Sequence, residues 1–417
     1  MLYERWRQIA REFHGELALY DFADGRRWTF GELADGVEKA KGQGQKAKMV
    51  CPRGGGAEFI LQVLAAWREN QIICPLESGQ IAPGVSELPP EIVHLKLTSA
   101  SGGAARVVAF TAEQLAADAE NIVATMGLRR AWTNLGVISL AHSYGFSNLV
   151  TPLLLHGVPL MLAPAPLPET IRHAAKLVEN ISLPAVPALW RAWLEAGAIP
   201  ANVRLAISAG APLPLALEQA MFEQHALKLH NFYGASECGG IAYDASEIPR
   251  TDTTGVGAPM KNVALTVGDD GYLQVRSRAV AETYLSPDAS LGGGVFSTSD
   301  LAEIRGGEVF LHGRAGDLIN VAGRKVAPEA IERALSELSA VRACLVFGAP
   351  SADAARGEDV VAVVVSEADE GELRRRASAL LPAWQLPRHW WRVADLPANA
   401  RGKISRAAWR TRWAERG

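Results

Sequence analysis

Four stretches of this 417-residue chain carry side chains that can act together on a charged substrate. The first is Tyr233-Gly-Ala-Ser-Glu237, where a ring, a glycine, a hydroxyl and a carboxylate follow the strand-like run Leu229–Phe232. A surface to stack on, a backbone gap at Gly234, a phosphate donor at Ser236 and a magnesium ligand at Glu237 would all be available there. A capped helix start with a packed tyrosine has the same composition. The second is Leu95–Arg106, LKLTSASGGAAR. Its small residues, Gly103 among them, let backbone amides approach an anion. Thr98, Ser99, Ser101 and Arg106 can donate to phosphate oxygens. An ordinary Ser/Thr/Gly-rich loop reads the same way, and without a GxxxxGK[ST] pattern this is not a Walker A loop. The third is Asp300, after Phe296-Ser-Thr-Ser, which can accept the hydroxyls of a ribose or simply occupy an exposed turn. The fourth is Lys403, either a lone ammonium presented by the Pro/Gly-containing loop Leu396–Arg406 or a solvated surface lysine.

Two further segments stand where α/β sheets bind ligands, at the ends of strand-like runs. Ala209-Gly210-Ala211-Pro212 follows Leu205–Ser208 and would let a flat ring lie on the backbone, unless it is a plain strand–helix turn. His142, with Tyr144 and Phe146 nearby, ends the run Leu135–Leu140, as either a site residue or a packing histidine.

The elements that must position these groups alternate. A helix is expected over Leu2–Phe13. Thr29-Phe-Gly-Glu32 and Thr111-Ala-Glu-Gln114 are capping boxes that start two more. Strands are expected at Lys48–Cys51 and Ile72–Pro75, with the helix Ala57–Arg68 between them. Strands alternating with helices imply parallel pairing and an α/β fold. Gly313–Glu332, GRAGDLINVAGRKVAPEAIE, then separates a long α/β pattern from a compact one. Gly313–Gly316 reads as a hinge, Leu318–Val321 as a short strand, and Ala327-Pro328 as a helix start. The fold class is therefore a large N-terminal α/β body of several sheets with a small α+β C-terminal lid. The body is residues 1–312 and the lid 313–417.

Composition limits the alternatives. Apolar content of 48% fits a globular protein, and a formal net charge of −3 gives no whole-molecule reason to bind nucleic acid. Charge is uneven, since Arg374–Gly417 holds eleven Lys/Arg against two Asp/Glu. That is either a solvated basic face or a surface for an anion or acidic partner. The cysteines Cys51, Cys74, Cys238 and Cys344 form no CxxC pair and read as buried thiols of a reducing, cytoplasmic compartment. His142, Asn148, Pro152 and His156 interrupt the apolar run Gly136–Pro164, which argues for a buried strand–helix–strand and against a membrane span.

These stretches, in this order, resemble the adenylate-forming superfamily: acyl- and aryl-CoA synthetases, peptide-synthetase adenylation domains and firefly-type luciferases. The most specific part is the ordered trio Tyr233–Glu237, Gly313–Glu332 and Pro397–Arg406. The resemblance implies an ATP-dependent ligase that activates an aryl or fatty acid as its adenylate. It then passes the acyl group to a thiol, either coenzyme A or the phosphopantetheine of an acyl carrier protein. By the same resemblance, Thr98–Arg106 is the phosphate loop, Ala209–Pro212 faces adenine, and Tyr233 is the ring beside it. Ser236 contacts phosphate, Glu237 holds Mg²⁺, Asp300 and Arg314 contact ribose, and His142 gates the acyl site. Gly323 lies in the loop that approaches the thiol, and Lys403 reaches the acyl carboxylate and α-phosphate.

The departures point to a shortened, specialised member. Where the family's loop is close to TSGTTGxPKG, this chain reads TSASGGAARV. Arg106 replaces a compact ammonium with a planar guanidinium. With 97 residues before Thr98, the usual N-terminal portion reads as trimmed. The altered loop leaves a second reading open, a degenerate, non-catalytic nucleotide- or acyl-binding homologue. Oligomeric state is left open.

Overall fold

The computed structural model describes residues 1–39, 48–85, 88–98, 106–163, 165–353, 355–397 and 404–416. Both capping boxes form. Glu32 N donates to Thr29 Oγ1 at 3.1 Å while Thr29 N donates to Glu32 Oε2 at 2.7 Å, and Gln114 and Thr111 repeat the exchange. Helices follow over Phe30–Lys39 and Ala112–Met126. The helix Ala57–Arg68 has the expected bounds, and its Phe59, Ile60, Val63 and Leu64 are fully buried.

Among the described residues the largest sheet has fourteen strands. Its parallel half runs Leu17–Asp21, Leu160–Leu162, Thr133–Gly136, Ile181–Ala185, Val203–Ser208, Leu229–Ala235. Beyond Leu229–Ala235 the pairing reverses. Gly239–Tyr243, Gly255–Pro259, Glu308–Arg314, Val295–Arg305, Tyr272–Ser277 and Val263–Val267 follow, each antiparallel to its neighbour. Asp300 lies within one long strand, Val295–Arg305, whose second half, from Asp300 on, pairs with Glu308–Arg314.

A second sheet of five strands holds both arms of the expected phosphate loop. Ile92–Leu97 leads in, Val107–Thr111 leads out, and the two pair antiparallel. Between the first strands of the large sheet, Ser143–Gly145, Phe146–Val150 and Thr151–His156 make a short helix with a π turn inside it. No helix among the described residues is long and apolar enough to cross a membrane.

The C-terminal domain has its own core. The strands Val341–Pro350, Glu358–Ser366 and His389–Arg392 form one sheet. Alternate residues of its middle strand enter different clusters, Val360, Ala362 and Val364 in one, Val361, Val363 and Val365 in the other. Successive strand side chains point to opposite faces. Helices Pro328–Ser336 and Glu370–Ala377 therefore cover one face and Arg406–Ala414 the other. The basic C-terminal segment is thereby split, with Arg374–Arg376 on a helix over one face and Arg410 and Arg412 on a helix over the other.

Three histidines fold in environments that disfavour their charged form. His94 is fully buried with neither ring nitrogen hydrogen-bonded, and burial, then Lys96, pushes it well below its ordinary value. Burial, then Arg5, pushes His156 down to about 4. Burial also lowers His230. In the unfolded chain a histidine titrates near 6.5. Below that pH the unfolded chain binds more protons, so stability present above about pH 6.5 is lost as the pH falls towards 4. Urea unfolding should show this decline, with a shallower slope in His94→Leu. An unchanged slope would contradict the assignment.

Candidate active site

The site is built where the large sheet changes from parallel to antiparallel. Tyr233–Glu237 was expected to end a strand or cap a helix. Instead it lies in a β-hairpin, with Leu229–Ala235 turning back as Gly239–Tyr243. Two glycines make the turn possible. Gly239 has φ +70°, and a Cβ there would sit 1.9 Å from Asp118 Oδ1. A Cβ on Gly234 would meet the Gly239 carbonyl oxygen at 2.6 Å. Asp118, buried on the helix Ala112–Met126, fixes the turn. Its Oδ1 accepts from Gly240 N at 3.1 Å and its Oδ2 from Ser147 Oγ at 2.6 Å.

Three of the expected nucleotide residues meet in one chain of hydrogen bonds. Tyr233 donates its hydroxyl to Asp300 Oδ2, and Arg314 Nε donates to Asp300 Oδ1 at 2.6 Å. Register explains the second contact, since Asp300 and Arg314 stand opposite each other on paired strands. Asp300 is buried, correcting the exposed-turn alternative. Burial and the Asp300 charge push the Tyr233 hydroxyl well above its usual range. Burial opposes the charge on Arg314, but Asp300 outweighs it and raises that group.

Glu237 sits at the turn, and Tyr284 donates its hydroxyl to Glu237 Oε1 at 3.0 Å. Ser143, beside the expected gate His142, donates to Ser236 Oγ at 2.8 Å, which ties the gate segment to the hairpin. His142 caps the short helix, its Nδ1 accepting from Tyr144 N at 3.3 Å. Ala209 continues the edge of Val203–Ser208 by donating to the Ala185 carbonyl. Gly210 then turns with φ +85°, and Ala211 and Pro212 follow.

The neck of the expected phosphate loop is closed. Thr98 N donates to Arg106 O at 2.8 Å and Arg106 N to Thr98 Oγ1 at 3.1 Å. Arg106 was expected to offer its charge to phosphate. In this structure its guanidinium lies 3.3 Å from the Tyr284 ring centroid and pairs with Asp288 at 3.1 Å. Ser99, Ser101, Gly103 and Lys403 lie outside the described residues. Gly323 stands apart, at the tip of the hairpin joining Ile319–Val321 to Arg324–Val326, with φ +81° after Ala322 at +51°.

The described residues hold no group of three or more His, Cys, Asp and Glu suited to a metal ion. A lone carboxylate nevertheless fits magnesium, which usually takes one or two protein carboxylates and completes its shell with water and substrate phosphate.

Tyr284, Asp118 and Ser143 were missed by sequence reasoning. Tyr284 lies 47 residues after Glu237 and Asp118 lies 122 before Gly240, so no local spacing signals either contact.

Comparison with known proteins decides the family. Residues 61–285 match the model of the AMP-binding enzyme family, and 330–403 match the AMP-binding enzyme C-terminal domain. This chain belongs to the AMP-binding enzyme family. It is 25% identical over 350 residues to a 2-succinylbenzoate–CoA ligase of Staphylococcus aureus, covering 81% of this chain and 70% of that one. The chain spans 52% to 70% of the length of the curated relatives it matches first. ATP-bound MatB from Rhodopseudomonas palustris has the same fold, with a TM-score of 0.87 at 18% identity over 99% of both chains. The o-succinylbenzoate-CoA synthetase MenE of Bacillus subtilis, in complex with its acyl-adenylate intermediate, gives 0.84 at 20% identity over 97% of both.

Asp300→Ala would leave Arg314 and the Tyr233 hydroxyl without their shared acceptor. A hydrogen bond to a charged group typically contributes about 1.5–3 kcal/mol, less at Arg314, whose side chain is half-exposed, than at the Tyr233 hydroxyl. AMP affinity measured by calorimetry should fall at least about tenfold, and an unchanged value would remove Asp300 from the nucleotide site.

Proposed function

We propose that this protein is an ATP-dependent acid–thiol ligase that activates an aryl or fatty carboxylic acid as acyl-AMP and transfers it to a thiol. The acceptor is coenzyme A or a carrier-protein phosphopantetheine. The observation that carries this reading is the joined set at the sheet reversal: Tyr233–Asp300–Arg314 on one side of the hairpin and Glu237 at its turn, beside the neck of the phosphate loop. The 2-succinylbenzoate ligase relative supports a carboxylic acid substrate. The apolar pocket expected around His142, Tyr144, Gly210 and Gly234 would favour an aryl or fatty acid over an amino acid, while Phe146 is packed in the core against His94.

The chemistry follows from charge. A carboxylate is a poor electrophile, and making AMP its leaving group corrects this. The acid's oxygen attacks the α-phosphorus and pyrophosphate departs, so two anions must be brought together and aligned. Tyr233 and Ala209–Pro212 would hold adenine, while Asp300 and Arg314 would hold ribose. Thr98, Ser99, Ser101, Gly103, Ser236 and Arg106 would surround the phosphates. Magnesium bound at Glu237 would neutralise phosphate charge. Lys403 would supply the cation between carboxylate and α-phosphate. After pyrophosphate leaves, a thiol must reach the same carbonyl, so the lid, residues 313–417, would turn and present the Gly323 hairpin. Gly316, in the turn Ala315–Asp317 after the strand Glu308–Arg314, suits a pivot: it has no Cβ and open space around it.

The tether of Arg106 to Asp288 and Tyr284 favours one competing reading, a binding homologue that holds nucleotide without activating an acid. Pyrophosphate exchange across a panel of acids separates the two. Acid-dependent exchange supports the ligase, and AMP or ATP binding with no exchange for any acid supports the binding homologue.

Lys403→Ala should lower adenylation by at least about a hundredfold, the cost of one well-aimed transition-state donor being on the order of 3 kcal/mol. Thioester formation from preformed acyl-AMP should survive. Equal loss of both half-reactions would contradict the role given to Lys403.

A further inference from the structure

Tyr284 lies on the two-residue strand Thr283–Tyr284, which pairs antiparallel with Val107–Thr111, the strand leaving the phosphate loop. Backbone bonds on both sides hold it: Leu285 N donates to Val107 O at 2.9 Å, and Glu282 N to Ala109 O at 2.9 Å. One residue further back, Ala281 N donates to the Glu237 carbonyl at 2.8 Å. The segment therefore bridges the loop and the hairpin before its side chains are considered.

The Tyr284 side chain then touches both. Its buried ring receives the Arg106 guanidinium, which Asp288 holds at the edge, and its hydroxyl donates to Glu237 Oε1. Arg106 closes the loop neck through its own backbone, so the ring contact pins the root of the loop. A hydroxyl donating to a carboxylate oxygen fixes the rotamer of that carboxylate. With Oε1 engaged by Tyr284, Oε2 remains for a cation.

We infer that Tyr284 is a positioning residue for nucleotide activation: its ring anchors the root of the phosphate loop, and its hydroxyl orients Glu237 towards magnesium-bound triphosphate. This rests on the ligase reading above. Neither contact involves the adenine or ribose residues, so the two halves of nucleotide recognition separate. AMP should depend on Tyr233, Asp300 and Arg314, and the metal–triphosphate portion on Tyr284.

Calorimetry with AMP and with a non-hydrolysable ATP analogue, each titrated at several magnesium concentrations, tests this. Tyr284→Phe keeps the ring and loses the hydroxyl. It should raise the magnesium concentration needed for half-maximal analogue binding by about fivefold to tenfold and leave AMP affinity unchanged. Asp288→Asn removes the ion pair with Arg106 and keeps an amide oxygen that can still accept from Ser290. It should weaken the analogue with the magnesium requirement unaltered. A Tyr284→Phe protein with the wild-type magnesium requirement, or with AMP weakened as much as the analogue, would overturn the inference while leaving the ligase reading intact. Wild-type protein that binds the analogue without regard to magnesium would overturn the role of Glu237 and this inference together.

Discussion

The Asp118 carboxylate is the constraint on which the site depends. It is buried, and it spends both oxygens on two different elements, the Gly240 amide of the hairpin and the Ser147 hydroxyl of the π turn. The hairpin sits so close to it that a methyl group on Gly239 would overlap the carboxylate. A buried charge needs donors on every side, and a buried amide needs an acceptor, so each satisfies the other. Glu237 and Ser236 owe their place to this contact. The segment from His142 owes its place to it too, because Ser147 follows His142 by five residues and Ser143 reaches across to Ser236.

The C-terminal domain has a comparable clamp. Arg406 donates to the Val346 carbonyl, pairs with Asp317 at 2.9 Å and with Glu329 at 2.7 Å, and makes a forked contact with Glu332. Asp317 ends the short 3₁₀ turn that follows Arg314, and Arg406 begins the helix that follows the Lys403 loop. A planar fork with five donors suits such a cluster, where an ammonium would leave carboxylate oxygens unpaired. The same side chain therefore fixes the far end of the pivot and the near end of the lysine loop within one rigid cluster.

Much of this was legible locally. Both capping boxes and the helix Ala57–Arg68 follow from spacing over a few residues. The ordered motifs were enough to place the chain in its family. What was not legible depends on partners distant in sequence. The hairpin at Tyr233–Glu237 read as a strand end because its second arm, Gly239–Tyr243, begins with two glycines that weaken a strand pattern. Asp300 read as a turn residue because Ser297, Thr298 and Ser299 mask the long strand that contains it. Arg106 read as a free phosphate cation because neither Tyr284 nor Asp288 lies near it in sequence. Gly323, expected only in a loop, is the second residue of a two-residue hairpin turn, where both residues need positive φ.

The placement of cations bears on how the proposed chemistry would be shared. Arg106 is already paired with Asp288. Lys96 is buried, its ammonium has no hydrogen-bond partner, and burial lowers it while Asp118, Cys238 and Glu237 draw it back up. It therefore offsets the carboxylates behind the hairpin and has no exposed charge to offer a phosphate. Neither group is a compact, mobile cation facing a substrate. If the reaction is acid activation, the attack of one anion on another must draw its transient positive charge from elsewhere, and Lys403 is the basic group whose proposed position answers that need. A fixed ammonium there would also hold pyrophosphate and obstruct the thiol. A lysine delivered by a separate domain, and withdrawn with it, supplies the charge for one step and removes it for the next. On that proposal, the division into body and lid would follow from the electrostatics of the two half-reactions.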